Sequence, residues 1–195
     1  MPRWEPDARD RLTLAALDLF TEQGYEETTV AQIAERAGLT KSTFFRHFPD
    51  KREVLFGGQD EFFRRPADAI AAAPDDASPL QAVAAALEAL AAVFGSERHP
   101  FASRRRAVVA ANAELQEREA LKLAAFATAM RRALRRRGVA EPGATLAAEL
   151  GVLAFRAAFA RWADPANRRE FGELAVQALH ELQAAGAALT GSPGG

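Results

Sequence analysis

The chain contains 195 residues, of which 49% are hydrophobic and 26% are charged, and its formal net charge is −1. This composition is typical of a globular protein with a sizeable core and excludes a disordered chain. Cysteine is absent, which excludes disulfide bonds, thiolate metal sites and cysteine nucleophiles.

Three short helices are predicted in the N-terminal quarter of the chain. The first spans about residues 9–23, because apolar residues recur there at helical spacing and a glycine follows. Thr29 opens a capping box for a second helix, which ends near residue 37. Gly38 then forms a tight turn, and the third helix runs through Phe48, where a proline stops it.

Helical patterns continue to the end of the chain. A fourth helix is predicted to begin at the capping box of Asp50 and Glu53, and Gly57-Gly58 either forms a hinge in it or ends it. No stretch alternates with period two, so the expected fold class is all-α with about nine helices. The remaining helices are predicted at about residues 80–94, 101–111, 115–137, 145–162 and 168–189.

Two short helices joined by a turn containing glycine are typical of a helix-turn-helix motif. The exposed face of the second of them is predicted to carry Lys41, Ser42, Phe45 and Arg46. Lysine and arginine bind guanine edges or phosphates, and serine donates to either. Between residues 39 and 52, four basic residues minus one acidic residue give a local charge of +3. By spacing alone, the motif could also be a structural corner between two helices.

Residues 24–51 resemble the DNA-binding domain of the tetracycline-repressor-like (TetR) family of transcriptional regulators. The segment reads GYEETTVAQIAERAGLTKSTFFRHFPDK. Its glycine, its small residue at the helix crossing, its Thr-Phe-aromatic-x-His-Phe run and its following lysine are in register with that family.

The resemblance covers about the first 55 residues and implies a dimeric, ligand-responsive regulator. Residues 1–55 are then the helix-turn-helix DNA-binding domain. Residues 56–195 are a larger helical regulatory domain with a ligand pocket and C-terminal dimerisation helices. The resemblance also implies that the protein is a repressor, which an apolar or amphipathic small molecule releases from operator DNA. It further implies that the protein is not an enzyme.

The resemblance also assigns DNA contacts, which are Thr29, Thr40, Lys41, Ser42, Thr43, Phe45, Arg46, His47 and Lys51. In the family, the residues at the positions of His47 and Lys51 contact phosphates. The position of Phe45 is usually a tyrosine, whose hydroxyl contacts a phosphate. Since Phe45 lacks that hydroxyl, we expect only an apolar contact to a sugar or to a thymine methyl group.

Two further sites are predicted after residue 56. Aromatic side chains commonly line ligand pockets, and the pocket implied by the resemblance has as candidates Phe62, Phe63, Phe94, Phe101, Phe126, Met130, Phe155 and Phe159. The helix at 145–162 has two apolar stripes, one of them Leu146, Leu150 and Leu153, and a helix with two apolar faces needs two partners. We assign the other stripe, with part of the last helix, to a homodimer interface: Val152, Phe155, Phe159, Trp162, Phe171, Leu174, Ala178 and Leu182.

Two rival interpretations are a helical enzyme and a protein-interaction bundle without DNA binding. We find no phosphate-binding glycine loop and no nucleophile elbow. His99 and His180 have no partner at metal-ligand spacing, so neither a metal nor a cofactor is expected. An interaction bundle would leave the cations of the third helix without a role. The sequence shows no apolar leader and no apolar run near the roughly 18 residues of a membrane span, so we expect a cytoplasmic protein without a membrane partner.

Overall fold

A computed structural model of the chain describes residues 7–57, 59–95 and 99–190. These residues form nine α-helices and two short 3-10 helices and contain no strand, which confirms the predicted all-α fold. The α-helices are α1 (Ala8–Gln23), α2 (Val30–Arg36), α3 (Lys41–His47), α4 (Gln59–Ala72), α5 (Pro79–Ala89), α6 (His99–Ala110), α7 (Ala113–Arg136), α8 (Gly143–Trp162) and α9 (Phe171–Thr190). The 3-10 helices are Arg52–Leu55, before α4, and Leu90–Val93, after α5.

The chain divides into two compact units, each of which is discontinuous in sequence. The first unit comprises residues up to 59 together with residues 100–120, and the second comprises residues 60–99 and those from 121 onward. The sequence places a domain boundary at residue 55 and assigns every later residue to one regulatory domain. The structure groups α6 and the start of α7 with the N-terminal helices instead.

The core of the first unit explains this grouping. Leu12, Ile33 and Phe44, from α1, α2 and α3, are each 0% exposed. Val109 of α6 and Leu115 of α7 are buried in the same hydrophobic cluster. Burial of one such side chain stabilises a fold by roughly 1.5–3 kcal/mol. The three N-terminal helices and residues 100–120 are therefore held together by one core.

The segment between α3 and α4 is split near Gly57, and the sequence leaves open whether the glycines there form a hinge or end a helix. It forms the 3-10 helix Arg52–Leu55, and Gly57 then follows in a non-helical conformation. A Cβ atom at Gly57 would lie 3.2 Å from Cε1 of Phe48 and would also clash with the guanidinium of Arg9. Since glycine also costs roughly 1 kcal/mol in a helix interior, the helix ends here. Gly58, the second residue of the predicted hinge, lies outside the described residues.

The second unit contains a group of seven aromatic rings, which we term the aromatic cluster. Neighbouring rings in it have centroids 4.3 to 6.1 Å apart. α8 passes close to α5 and α7, because a Cβ atom at Gly151 would lie 2.8 Å from Cγ1 of Val83 and 3.0 Å from Cε of Met130. The members of the aromatic cluster are Phe62, Phe94, Phe126, Phe155, Phe159, Trp162 and Phe171.

By length and composition, α8 is the one helix among the described residues that could cross a membrane. The sequence contains no uninterrupted apolar run of that length, because Glu149, Arg156 and Arg161 stand among the apolar residues. In the structure, 44% of the apolar window of α8 is buried within the protein. A single helix of this kind is weak evidence for a membrane span, since core helices of other proteins have the same length and composition.

Candidate nucleic-acid interface

α3 is anchored by one buried ring and exposes most of its other side chains. Phe44 is 0% exposed, and Phe48, directly after the helix, is 1% exposed. Their ring centroids lie 5.5 Å apart. Five side chains of α3 are exposed: the four that the sequence predicts, Lys41, Ser42, Phe45 and Arg46, and also His47. The surface of α3 therefore carries two cations, a hydroxyl, an imidazole and a phenyl ring.

The turn between α2 and α3 is held by an arginine of α1. Gly38 has a φ of +65°, which lies in the left-handed region that favours glycine. The guanidinium of Arg11 donates to the carbonyl oxygens of Ala37 and Gly38. A Cβ atom at residue 38 would lie only 2.9 Å from Nη2 of Arg11. Glycine is therefore needed here both for the backbone angle and for the approach of the arginine that fixes the turn.

The two cations of α3 retain N–H groups for an external partner. Nη2 of Arg46 donates to Oγ1 of Thr43 at 3.3 Å, and among the described residues we find no partner for its other donors. Within the described part of the chain, Lys41 is exposed and we find no ion pair for it. Guanidinium and ammonium groups of this kind bind guanine edges and phosphate oxygens.

The threonines predicted to contact DNA cap helices of the motif. Oγ1 of Thr29 accepts from the N–H of Gln32 at 3.3 Å, at the start of α2. Oγ1 of Thr40 accepts from the N–H of Thr43 at 3.1 Å, at the start of α3, and the hydroxyls of these two threonines lie 3.0 Å apart. Each hydroxyl thus has a partner within the motif, and a contact to DNA would be an additional one.

Lys51 is held inside the first unit. Its Nζ donates to the carbonyl oxygen of Tyr25 at 2.7 Å and lies 4.0 Å from the centroid of the Tyr25 ring. The carbonyl oxygen of Glu26 is 3.5 Å from the same nitrogen. Lys51 therefore ties the segment after α3 to the turn after α1, and a phosphate contact would have to share its ammonium group with these partners.

Asp50 caps the 3-10 helix that follows α3. Its carboxylate accepts from the N–H of Glu53 at 3.0 Å and from Arg52 at 3.1 Å. Burial raises the pKa of Asp50, but these hydrogen bonds outweigh it and hold the pKa below its ordinary value. Arg52 also pairs with Glu114 of α7, at 3.2 Å. The charged groups at the end of the motif are therefore fixed to residues 100–120.

Two arginines from α6 and α7 brace the same 3-10 helix. Arg118 makes a bidentate ion pair with Glu53. Nε of Arg105 donates to the carbonyl oxygen of Leu55 at 2.8 Å. Both guanidinium groups lie against the ring of Phe56, at 4.7 Å for Arg105 and 5.6 Å for Arg118. The sequence does not predict this bracing, because the run that contains Arg105 is simplest to interpret as a solvated helix face and Arg118 belongs to no motif.

Replacing Arg118 with methionine is expected to lower the free energy of unfolding by roughly 1–3 kcal/mol. The substitution keeps the aliphatic stem but leaves the carboxylate of Glu53, which is 17% exposed, without its cation. The matched control is Arg161→Met. Arg161 pairs with Glu181, and the two side chains are 44% and 46% exposed. Loss of this exposed ion pair should lower the free energy of unfolding by less than about 1 kcal/mol. Urea titration followed by circular dichroism measures both variants. Equal losses in the two variants would contradict a bracing role for Arg118.

The residues predicted to line a ligand pocket do not all come together. Six belong to the second unit, but Phe101 packs against the core of the first unit, and the side chain of Phe63 lies outside the described residues. The rings pack directly on one another, as in the stack of Phe94 on Phe171 at 4.3 Å. The six are Phe62, Phe126, Met130 and Phe155, which are buried, and Phe94 and Phe159, which are partly buried.

The residues predicted to form the dimer interface lie mostly inside their own chain. Six are at most 8% exposed: Val152, Phe155, Trp162, Phe171, Leu174 and Ala178. Phe159 and Leu182 are partly buried. The other apolar stripe of α8 is the exposed one, with Leu146 at 62%, Leu153 at 48% and Leu150 partly exposed. The burial is therefore the reverse of what the sequence predicts. The aromatic stripe of α8 packs in the core of its own chain, and the leucine stripe lies on the surface.

Comparison with known proteins gives matches concentrated in the N-terminal region. The sequence profile described as "Bacterial regulatory proteins, tetR family" matches residues 12–57. The HTH-type transcriptional regulator TcmR of Streptomyces glaucescens is 45% identical over 85 residues, which cover 42% of this chain and 36% of TcmR. The HTH-type transcriptional repressor KstR2 of Rhodococcus jostii is 34% identical over 79 residues, or 38% of this chain and 39% of KstR2. The matched segments thus span little more than a third of these relatives.

Solved structures extend the likeness to nearly the whole chain. The transcriptional regulator FadR from Bacillus subtilis, in complex with stearoyl-CoA, superposes with a TM-score of 0.61 at 18% identity, covering 88% of this chain and 96% of FadR. SmeT, the repressor of a multidrug efflux pump of Stenotrophomonas maltophilia, gives 0.54 at 21% identity, covering 91% and 89%. At such identities the likeness shows the fold alone. Residues 12–57 thus match the N-terminal region of the tetR family of bacterial regulatory proteins, and the whole chain has a fold similar to that of these solved regulators.

Proposed function

We propose that this protein is a TetR-family transcriptional regulator that binds operator DNA by inserting α3 into the major groove, and that it acts in the cytoplasm as a repressor released by a small molecule. DNA binding by α3 is supported by the contrast between its buried side, which holds the helix in the core, and its exposed side. Phe44 fixes the helix in the core, while Lys41 and Arg46 remain exposed. A helix of this kind fits the major groove, which is about 12 Å wide.

The exposed residues divide by chemistry into two groups. We assign contacts with base edges to Lys41, Ser42 and Arg46, whose donors match acceptors in the groove. His47 and the N-termini of α2 and α3, with their caps Thr29 and Thr40, are assigned to phosphates. Thr43 supports Arg46 through its hydroxyl. Lys51 acts mainly by holding the motif to the turn at Tyr25.

A homodimer is proposed because one short recognition helix reads too few base pairs to be selective, whereas two related by a two-fold axis read a palindrome. The surface we propose for the interface is the leucine stripe of α8, formed by Leu146, Leu150 and Leu153. These residues are four and three positions apart, so they share one helical face. A stripe of exposed leucines of this kind is unfavourable in water and favours contact with a second copy.

The proposed effector is apolar or amphipathic and binds in the second unit. The aromatic cluster supports this, because aromatic side chains provide the lining of most small-molecule pockets. The solved structure of B. subtilis FadR contains stearoyl-CoA, and a long acyl chain is therefore the first class of compound to test here. Release requires that the effector bind better to the conformation that misfits the operator.

Selection of bound DNA from a random pool tests this proposal. The selected duplex should contain an inverted repeat. The centres of its two half-sites should be about 10 base pairs, or a multiple of that, apart. In a mobility-shift assay it should bind on the order of 10³-fold or more tightly than a shuffled duplex of the same composition. Stearoyl-CoA added to the complex forms a second arm, in which release of DNA is expected. Equal affinity for both duplexes would contradict operator binding, and retention of DNA at saturating stearoyl-CoA would contradict an acyl-CoA effector.

A further inference from the structure

An exposed phenyl ring stands among the polar groups of α3. Phe45 is 55% exposed, and in the described part of the first unit Leu14, at 39%, is the other large hydrophobic residue on the surface. The ring of Phe45 meets the ring of Phe44 edge-on, with centroids 5.5 Å apart and planes at 82°. Because Phe44 is fully buried, this contact gives Phe45 a defined orientation on the helix surface.

The neighbours of Phe45 place it where the DNA would be. Lys41 precedes it by four residues and Ser42 by three, so both lie on its side of α3. Arg46 follows it directly and is also exposed. When the cations contact bases and phosphates, the ring between them is brought into the groove and loses its contact with water.

The chemistry of the ring selects its partner in the groove. A phenyl ring has neither a charge nor a hydrogen-bond donor, so placing it against a phosphate would remove water from that anion without replacing it. Among the base edges of the major groove, the one apolar group is the C5-methyl group of thymine. We propose that Phe45 contacts a thymine methyl group in each half-site and thereby determines specificity at that base pair. This inference rests on the proposed insertion of α3 into the major groove.

The loss of DNA affinity expected on removal of the thymine methyl group is small for one half-site and larger when both half-sites are changed. Burial of one methyl group is worth about fourfold in affinity. Because a dimer makes the contact twice, loss of both methyl groups should weaken binding roughly 15-fold. An effect of this size is readily resolved in a titration.

Replacing thymine with deoxyuridine tests the contact directly, because it removes the C5-methyl group and leaves the hydrogen-bonding groups of the base unchanged. Each thymine of the selected operator is replaced in turn, at symmetric positions, and affinity is measured by fluorescence anisotropy. For the wild-type protein we expect one position per half-site at which deoxyuridine weakens binding about 15-fold. Phe45→Ala should bind the thymine and deoxyuridine duplexes equally at that position. Leu14→Ala, which removes the other exposed apolar side chain of the unit, should keep the full discrimination.

The outcomes separate this inference from the proposed function. If the wild-type protein binds its operator but no deoxyuridine position weakens binding, the inference is wrong and operator binding stands. If Phe45→Ala weakens binding equally to both duplexes and the discrimination persists, the ring contacts the sugar and the inference is again wrong. Phe45→Leu provides a second variant, and it should retain part of the discrimination because it retains an apolar side chain. Absence of any selective DNA binding by the wild-type protein would overturn the proposed function and this inference together.

Discussion

Operator binding is expected to be lost almost entirely when Lys41 and Arg46 are both replaced by alanine. Both side chains are exposed on α3, and a good contact to a base edge is worth roughly 1–3 kcal/mol. Because each change occurs twice in a dimer, we expect affinity to fall by about 100-fold or more. Binding to shuffled DNA should fall less, since it depends on total positive charge and not on base contacts. Fluorescence anisotropy at several salt concentrations measures both quantities.

A matched control keeps the same loss of charge without changing α3. Arg132 and Arg136 are exposed on α7, and the double alanine variant at these positions should leave operator affinity within a few-fold of the wild type. The buried anchor Phe44 is untouched in both variants, so circular dichroism should show unchanged helicity. If the α7 variant lost as much selectivity as the α3 variant, α3 would not be the recognition helix.

Glutamate at both Leu146 and Leu153 is expected to convert the proposed homodimer to a monomer. These side chains are 62% and 48% exposed in the single chain, so the substitutions should not disturb its own core. In an interface they would bury two carboxylates per subunit next to their symmetry copies, which costs several kcal/mol for each unpaired charge. Sedimentation at micromolar concentration should therefore report a monomer, and operator binding should fall because the two half-sites are then bound independently.

Leu121→Glu provides the comparison, because Leu121 is also an exposed leucine, at 59%, but lies on α7. This variant should remain dimeric and bind the operator normally. If the double variant of α8 still sedimented as a dimer, the leucine stripe would not be the dimer interface. A glutamate at Phe159 would be a poorer test, because the ring of Phe159 stacks on Phe155 with centroids 6.0 Å apart, and unfolding would then be confused with dissociation.

Much of the helix-turn-helix could be predicted from the sequence because its signals are local. The capping box of Thr29 and Gln32, the cap at Thr40 and the left-handed Gly38 each act within about one helical turn. The exposed face of α3 follows from the same short segment, since Phe44 is the residue that must face α1 and α2. These features need no information from distant parts of the chain.

The type and length of the helix after α3 were harder to predict, because the Asp50 cap favours a helix there whereas Gly57 and Gly58 disfavour one. The carboxylate of Asp50 does accept from the N–H of Glu53, but the element that follows is the short 3-10 helix Arg52–Leu55 and not a long helix. Gly57 and the close approach of Phe48 end that turn. The cap marked where a helix begins, and the packing of α3 decided how far it could continue.

The sequence by itself determined the all-α fold, the two short helices α2 and α3 and most of the side chains that α3 exposes. The tertiary structure alone decided which apolar stripe of α8 is buried, and that Arg105 braces Leu55, 50 residues away. It also gave Lys51 its partner in Tyr25, 26 residues away. The physical reason is that capping and helical periodicity depend on neighbours within a turn or two. Burial and ion pairing depend on which distant surfaces meet, and a helix with two apolar stripes carries no local mark of the one that will face the core.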